Sequence, residues 1–477
     1  MIATSGIHIA IVGGGLSGTL AALRLLQSAK EGTTIYLLEK EEEKLYRGVA
    51  YSSKLPFQPL NVPASCMSLF PEKPVDFADW LIKNQPHYNL NLPEQHIADA
   101  FIPRFIFGDY VAQRLKEAEA DALAGVQLRQ VKSTVLFIEP NPFTGVCSVR
   151  LKDGSLIKAH KVVLAPGNLP PLNVPIRNMA FYSSDRYKAS PWAADALEAL
   201  PTDAPVLLIG SSLTMVDLVG SLHARGHSGR IYVVSRHGML PKAYNLGAKP
   251  LKLAPLPTIV FDTVTNALRY VRETVAEAAA DGYTWHSVID ALRTAIPVIW
   301  QRWPIEEKKR FLRHVRPFWE VHRHRMPDSS ALLLQQLQEQ GQLVVLAGTL
   351  ETITLSADTA KVVIRKRGQQ RNEIIAVARV INCTGPLCDY IKSTDPLLRQ
   401  LLNQGLIKPD MLRLGLETTA EGNLVGADNN PNYNLFTLGP PRKGMLYEST
   451  ALHEIRQQAV ALAEAILEEV EERKKEV

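Results

Sequence analysis

The run Ile7-His8-Ile9-Ala10-Ile11-Val12-Gly13-Gly14-Gly15-Leu16-Ser17-Gly18 leaves this chain few folds to choose from. Six residues of buried-strand composition enter a Gly-x-Gly-x-x-Gly turn, and the residues after it predict a helix from Thr19 to Ala29. Each glycine serves a different purpose. Gly13 allows the tight turn, Gly15 allows close approach of the backbone to a pyrophosphate, and Gly18 allows close packing of helix on strand. The helix N-terminus then offers free N–H groups and a positive dipole end to an anion. A second strand, Thr34 to Leu38, ends at Glu39, about twenty residues beyond the motif, where a carboxylate holds ribose hydroxyls. A glycine turn without a ligand would explain the turn, but not the strand, helix and acid that follow in order.

A weaker copy of this unit begins near Pro205. Val206 to Ile209 reads as a buried strand, Gly210-Ser211-Ser212-Leu213-Thr214-Met215 as the turn, and Val216 to Leu222 as the start of a helix. Ser212 takes the place of the second glycine and Met215 that of the third, so close approach of a pyrophosphate is less assured. The next strand, Ile231 to Val234, ends in Ser235-Arg236 with no acid. That places Arg236 to meet a 2′-phosphate and favours NADPH over NADH, the alternative being a degenerate unit kept as scaffold.

Around these two units the chain alternates. Val126 to Ile138 and Val146 to Leu151 read as strands, as do Lys161 to Leu164, Val344 to Leu346, Thr352 to Leu355, Lys361 to Arg365, Ile374 to Val377, Arg379 to Asn382 and Asn434 to Gly439. Two strands end in small-residue exits, at Ala165-Pro166-Gly167-Asn168 and at Cys383-Thr384-Gly385-Pro386. From Phe261 to about Gln340 the apolar spacing is helical and predicts an inserted helical unit. Its basic, aromatic stretch from Lys308 to Arg325 fits an anionic ligand, with Arg323 and Arg325 as substrate candidates, or a solvated face; nucleic acid is the less favoured reading. His322 and His324 are two apart on that helix and face different ways, which argues against a metal. The charged tail Glu468 to Lys475 reads as a solvated helix end.

With 477 residues, 46% of them hydrophobic, the chain can support two or three cored domains, and a formal charge of +5 makes no case for nucleic acid. No apolar run reaches the length needed to span a bilayer and no basic leader precedes the first strand, so the expectation is a cytoplasmic protein without membrane contact. Cys66, Cys147, Cys383 and Cys388 suit a reducing compartment. Cys383 and Cys388 have the spacing of some flavin redox pairs, but Cys383 ends a strand where a redox helix would not be expected.

The ordered set resembles the flavoprotein monooxygenases with two dinucleotide-binding domains. It is also similar to a bacterial FAD/NAD(P)-binding oxidoreductase family called YdhS-like, with which a urate hydroxylase group has been associated. The resemblance is carried by Gly13-x-Gly15-x-x-Gly18 with Glu39, Gly48-x-Ala50-Tyr51, Leu60-Asn61-Val62-Pro63, Pro103-Arg104, Leu164-Ala165-Pro166-Gly167-Asn168, Leu213 to Asp217, Ser235-Arg236, His322 to Met326, Arg442-Lys443-Gly444, Glu448 to Ala451 and Glu454 to Arg456. Pro166, in place of a threonine, and Ser212 depart from it. The resemblance implies an α/β fold of two Rossmann-like domains, for FAD and NAD(P), with a helical insertion. The expected division is an FAD-binding part at 1–170, NAD(P)-binding parts at 171–260 and 341–385, the insertion at 261–340, and a returning FAD-binding part at 386–477.

On that reading, cofactor contacts are expected at Gly13, Gly15, Ser17, Gly18, Glu39 and Lys40 around the first turn, and at Gly48, Tyr51, Asn61 and Arg104 in the loops after it. Others are expected at Gly167, Gly385, Gly439, Gly444 and Glu448, and at Gly210, Ser212, Thr214, Ser235 and Arg236 around the second turn. Asn61 is the catalytic candidate, positioned like the loop asparagine near the flavin of flavin-containing monooxygenases. The expected activity is an FAD-dependent, NADPH-using oxidoreductase, a monooxygenase of a small polar or anionic metabolite. A reductase or dehydrogenase without oxygen insertion and a flavin-bearing RNA-associated protein are the alternatives.

Overall fold

The structure, a computed structural model, describes residues 6–53, 58–141, 143–193, 195–253 and 261–476, with side chains as far as 470. Two sheets carry it, each built around one short, largely apolar strand. In the first, β1 (Ile7–Val12) lies between β2 (Thr33–Glu39) and β7 (Lys161–Leu164), with β3 (Gln127–Lys132) beyond β2, and β16 (Pro431–Thr437) and β15 (Asn423–Val425) beyond β7. All pairings are parallel except that of β15 with β16. A parallel sheet covered on both faces needs strands that are apolar on both sides, which is why β1 and β7 read as near-continuous apolar runs. Lys161 is a buried polar residue there: its ammonium is paired with Glu469 and donates to the Tyr433 carbonyl at 2.7 Å. The closing helix, expected to end in solvent, is therefore tied to the sheet at Glu469.

The second sheet centres on β9 (Val206–Ile209), between β10 (Ile231–Ser235) and β14 (Arg379–Asn382). The two-residue β8 (Tyr187–Lys188) lies beyond β14, and β11 (Leu343–Leu355), β12 (Ala360–Lys366) and β13 (Asn372–Val377) lie beyond β10. Pairing is parallel from β8 to β11 and antiparallel from β11 to β13. The segments expected as two strands at Val344–Leu346 and Thr352–Leu355 form one long β11, which crosses from the parallel to the antiparallel part with a register shift between Leu350 and Thr352. Conversely, the stretch Val126–Ile138, read as one strand, divides at Ser133–Thr134. Its second half, β4 (Val135–Asn141), joins β5 (Val146–Leu151) and β6 (Leu156–Ala159) in a separate three-stranded sheet.

On one face of the first sheet the helix Leu16–Ser28 packs Leu20, Leu23 and Leu26 against Leu462 and Ile466 of the C-terminal helix Leu452–Glu476. Residues 264–339 hold the helices expected there, beginning with Val264–Ala280, whose Thr263 hydroxyl accepts from Asn266 N–H as a cap. Trp300, Trp303 and Phe311 of this stretch pack on Leu414 and Tyr447 of the C-terminal segment, and Trp300 Nε1 donates to the Gly444 carbonyl at 2.7 Å. Its last helix, Asp328–Glu339, sets Leu334 and Leu337 against the helix Leu213–Ala224 of the second unit. The helical stretch thus touches both sheet systems.

Candidate functional site

The two sheets end in the same construction. Gly13 leaves β1 at φ +109° and Gly210 leaves β9 at φ +108°, values that a side chain rarely tolerates. Gly13 N–H donates to the Leu38 carbonyl at 2.9 Å and Ala165 N–H to the Val12 carbonyl at 2.8 Å; correspondingly, Gly210 N–H donates to Val234 and Cys383 N–H to Ile209, both at 2.8 Å. A Cβ on Gly13 would fall on the Ala165 carbonyl oxygen, and one on Gly210 would stand 2.6 Å from that of Cys383. Each exit therefore presses its backbone onto a turn. Just beyond lie Gly167 and Gly385, each with open space around the Cα. These are the carboxyl ends of parallel strands where the order reverses, the place at which open α/β sheets bind nucleotides.

At the first turn, a Cβ on Gly18 would fall on the Gly13 carbonyl oxygen, and one on Gly15 would stand 3.1 Å from the Gly48 Cα. No side chain caps the helix Leu16–Ser28 at Gly15, so its N-terminus is left to bind an anion. Gly439, from the C-terminal segment, comes so near that a Cβ there would stand 2.8 Å from Ser17 Oγ. Ser17 and Gly439, from opposite ends of the chain, meet at this helix start.

Glu39 ends β2 beside the turn. Its Oε2 accepts from Gly14 N–H at 2.9 Å, while Oε1 accepts from the N–H groups of Lys40 at 2.9 Å and Glu41 at 3.1 Å. The carboxylate both braces the turn and retains acceptor capacity for a ribose diol. The Lys40 side chain itself is exposed. Glu39→Ala should weaken FAD binding by about ten- to a hundred-fold, the loss of charge-assisted bonds worth roughly 1.5–3 kcal/mol each. Titration of the purified variant with FAD measures this, and an unchanged dissociation constant would rule out Glu39 as a ribose ligand.

The second turn keeps its backbone form despite lacking two glycines. The helix Leu213–Ala224 starts at Ser212 without a side-chain cap, with Thr214 in its first turn. The Ser211 hydroxyl bridges Ser235 Oγ at 2.8 Å and the Met239 carbonyl at 2.6 Å, and Ser235 Oγ accepts from Gly238 N–H at 3.0 Å. Arg236 follows, exposed and, among the described residues, without a hydrogen-bond or ion-pair partner.

In the loops, Asn61 is partly buried, and its amide likewise has no partner among the described residues. The Tyr51 ring packs on Phe107 at 4.8 Å between centroids, and burial pushes its phenol pKa up. Arg104, expected at the cofactor, also has protein partners. Its Nε donates to the Pro59 carbonyl at 3.1 Å and its Nη2 pairs with Asp217 Oδ2 at 2.9 Å, so it joins the first sheet system to the helix of the second.

The substrate candidates are also held by protein groups. Arg323, 7% exposed, lies 3.2 Å from Glu448 and 3.6 Å from Glu454, while Arg325 pairs with Asp290 and lies over the Tyr244 ring at 4.8 Å. Glu448, expected at the cofactor, also accepts from Trp319 Nε1 at 3.1 Å, and Gly444 packs on Asp410. The contacts of Arg323 and Trp319 with Glu448 and Glu454 dock the helical stretch onto the C-terminal segment, because burying a guanidinium requires carboxylates close by.

A cluster not anticipated from the sequence lies beside them. Glu320 Oε2 is 3.0 Å from His324 Nε2, and Oε1 is 3.4 Å from Arg316 Nε and 3.3 Å from the Tyr447 hydroxyl. Burial alone would raise the Glu320 carboxyl, but the His324 bond and charge, Lys443 and Arg316 together hold it well below the usual carboxylate range. Burial and the Glu320 charge push the Tyr447 phenol up. Glu320 and His324 are one helical turn apart, a signal that was present in the sequence. Glu320, His324 and Arg316, partly exposed around the buried Tyr447, are a candidate substrate wall.

Residues 10–169 match the family model described as FAD-NAD(P)-binding. No curated protein matches the chain by sequence. Among solved structures, L-lysine 6-monooxygenase from Pseudomonas syringae is similar over 98% of this chain and 100% of its own, at 16% identity and a TM-score of 0.65. The reduced form of ornithine hydroxylase from Pseudomonas aeruginosa is similar over 98% and 99%, at 17% identity and 0.61. The ornithine N-hydroxylase of Kutzneria sp. 744, with reduced FAD, NADP+ and L-ornithine, is similar over 98% and 100%, at 16% identity and 0.59. The chain has the mixed α/β, two-Rossmann fold of these proteins, and its first third carries the match to the FAD-NAD(P)-binding family.

Proposed function

We propose that this protein is an FAD-dependent oxidoreductase that uses NADPH, and specifically a monooxygenase of a small polar metabolite, an amine being the substrate class of the similar structures. The observation that carries the reading is the duplicated turn: two sheets, each with a central parallel strand ending in a glycine at φ near +108° beneath the backbone of a neighbouring exit strand. One such turn suits one dinucleotide, and a chain with two suits a flavin reduced by a nicotinamide. The division proposed for the two nucleotides is that expected from the sequence, with FAD at 1–170 and 386–477, NADPH at 171–260 and 341–385, and the helices 261–340 between. The motifs around Asn61, Gly167 and Arg236 support membership of the YdhS-like group.

In this mechanism FAD, when bound, supplies the redox and oxygen chemistry. The Gly13–Gly18 turn and the uncapped helix behind it hold a pyrophosphate by backbone N–H groups, and Glu39 holds the ribose hydroxyls. Asn61 offers an amide with both donor and acceptor capacity to whatever lies beside the flavin ring. Glu320, held ionised by its neighbours, gives a cationic substrate group a carboxylate, with His324 bonded to its Oε2. The helical stretch, packed on the C-terminal segment through Trp300 and Arg323, keeps water from the site.

Arg236→Ala should raise KM for NADPH by about ten- to a hundred-fold, the value of a charge-assisted phosphate contact of roughly 1.5–3 kcal/mol, and leave NADH nearly unchanged. Steady-state reduction of the flavin by each nucleotide measures it, and an equal effect on both would remove Arg236 from the 2′-phosphate. Incubation with NADPH, isotopically labelled dioxygen and a panel of amines tests the reaction class. A hydroxylated amine containing one labelled oxygen is expected; NADPH oxidation with no labelled product from any amine would favour the reductase reading.

A further inference from the structure

Beyond Arg236, the tip of the second sheet gathers two more basic groups from distant parts of the chain. In the parallel pairing of β10 with β11, Ser235 stands opposite Ala347. The next strand, β12, runs back with Lys366 opposite Gly348, and the residue after it, Arg367, donates its N–H to the Ala347 carbonyl at 2.8 Å. Ser235, Ala347 and Arg367 therefore sit side by side across three strands, fixed by backbone hydrogen bonds. Gly238 closes the turn after β10 so tightly that a Cβ there would stand 3.0 Å from the Ala347 Cβ. This brings His237 against Arg367, and Arg367 Nη1 contacts His237 Nδ1.

The charges of this corner are unbalanced. Arg236 and Arg367 are exposed, and neither has an acidic partner among the described residues. Lys366, one residue away, is already paired with Glu373 at 2.8 Å. Burial and then the charges of Arg367 and Arg236 hold His237 below its ordinary pKa, so a neutral ring can accept from Arg367. Two cations on either side of a histidine, without an acidic partner among the described residues, at the carboxyl end of the strand where a ribose is expected, fit a group with two negative charges.

We propose that Arg367, presented by the β11–β12–β13 antiparallel extension and steadied by His237, is a second clamp on the 2′-phosphate of the nicotinamide nucleotide, acting with Arg236. The inference rests on the NADPH reading and deepens it: the sheet extension is part of the cofactor-selecting site as well as an edge of the fold.

Calorimetric titration with 2′,5′-ADP and 5′-AMP separates this inference from the redox reading, since neither probe requires a working flavin. The wild-type protein should bind 2′,5′-ADP at least tenfold more tightly than 5′-AMP. Arg367→Ala should cut that preference about tenfold with 5′-AMP affinity unchanged, and Arg367→Lys should restore part of it. Preference retained in Arg367→Ala, or no preference in the wild type, would overturn the inference. A protein that keeps the preference, and loses it in Arg367→Ala, supports the clamp even where NADPH fails to reduce the flavin; that outcome would count against the proposed reaction alone.

Discussion

Gly18→Ala is expected to abolish retention of FAD. The new methyl group would land on the Gly13 carbonyl oxygen and within 3.2 Å of Ile11 Cγ2. Neither can move freely: Gly13 is tied to Leu38 and lies under the Ala165 backbone, and Ile11 is fully buried in β1. The helix Leu16–Ser28 must therefore lift from the strand, carrying its N-terminus away from where a pyrophosphate would sit. Overpacking of this kind costs about 1–3 kcal/mol of stability, and the displaced backbone donors should weaken FAD binding by at least a hundred-fold, roughly 2.7 kcal/mol. Visible absorbance of the purified variant and FAD titration measure the effect. A yellow Gly18→Ala protein with wild-type affinity would mean that helix and strand do not pack this way.

Arg104→Met is expected to be as damaging to stability as Gly18→Ala is to binding. Asp217 has a side chain only 9% exposed, and its one ion-pair partner among the described residues is Arg104, itself 14% exposed. Removing the guanidinium leaves a buried carboxylate alone, a change that costs about 3–5 kcal/mol. The pH dependence has a definite sign. Burial pushes the Asp217 carboxyl up to about 6 even with Arg104 beside it. A carboxyl raised above its unfolded value of about 3.9 binds its proton more readily in the folded state, so stability is lost as pH rises through that interval. The Arg104→Met defect should therefore be largest at neutral pH and shrink toward pH 5, and Asp217→Asn in the same chain should relieve it. Urea denaturation at the two pH values measures this; wild-type stability of Arg104→Met at neutral pH would contradict it.

Gly18 and Arg104 differ in how far the sequence announces them. Gly18 belongs to a local motif: strand, turn and helix lie within twenty-odd residues, and hydrophobic period and glycine spacing state the geometry outright. Glu39 was legible for the same reason. Arg104 and Asp217 belong to different sheet systems, and nothing in either segment announces the other, so their ion pair was not legible. The same holds for the pairing of Arg323 with Glu448, which lie far apart in the sequence. His237 and Arg367 lie 130 positions apart and come together only through the register of three strands. The continuity of β11 was hidden because its middle, Ala347 to Glu351, changes from a parallel to an antiparallel neighbour and loses the apolar run. Glu320 and His324 were legible in principle, since one helical turn separates them; metal-ligand spacing among the histidines draws the eye away from the acid.

The most direct test is anaerobic mixing of the FAD-loaded protein with each nicotinamide nucleotide, following the visible absorbance of the flavin. A saturable loss of absorbance with NADPH is expected, reached at concentrations at least tenfold lower than with NADH. No loss with either nucleotide would contradict the two-nucleotide mechanism, leaving the second turn as scaffold, and equal behaviour with both would contradict the selection assigned to Arg236 and Arg367.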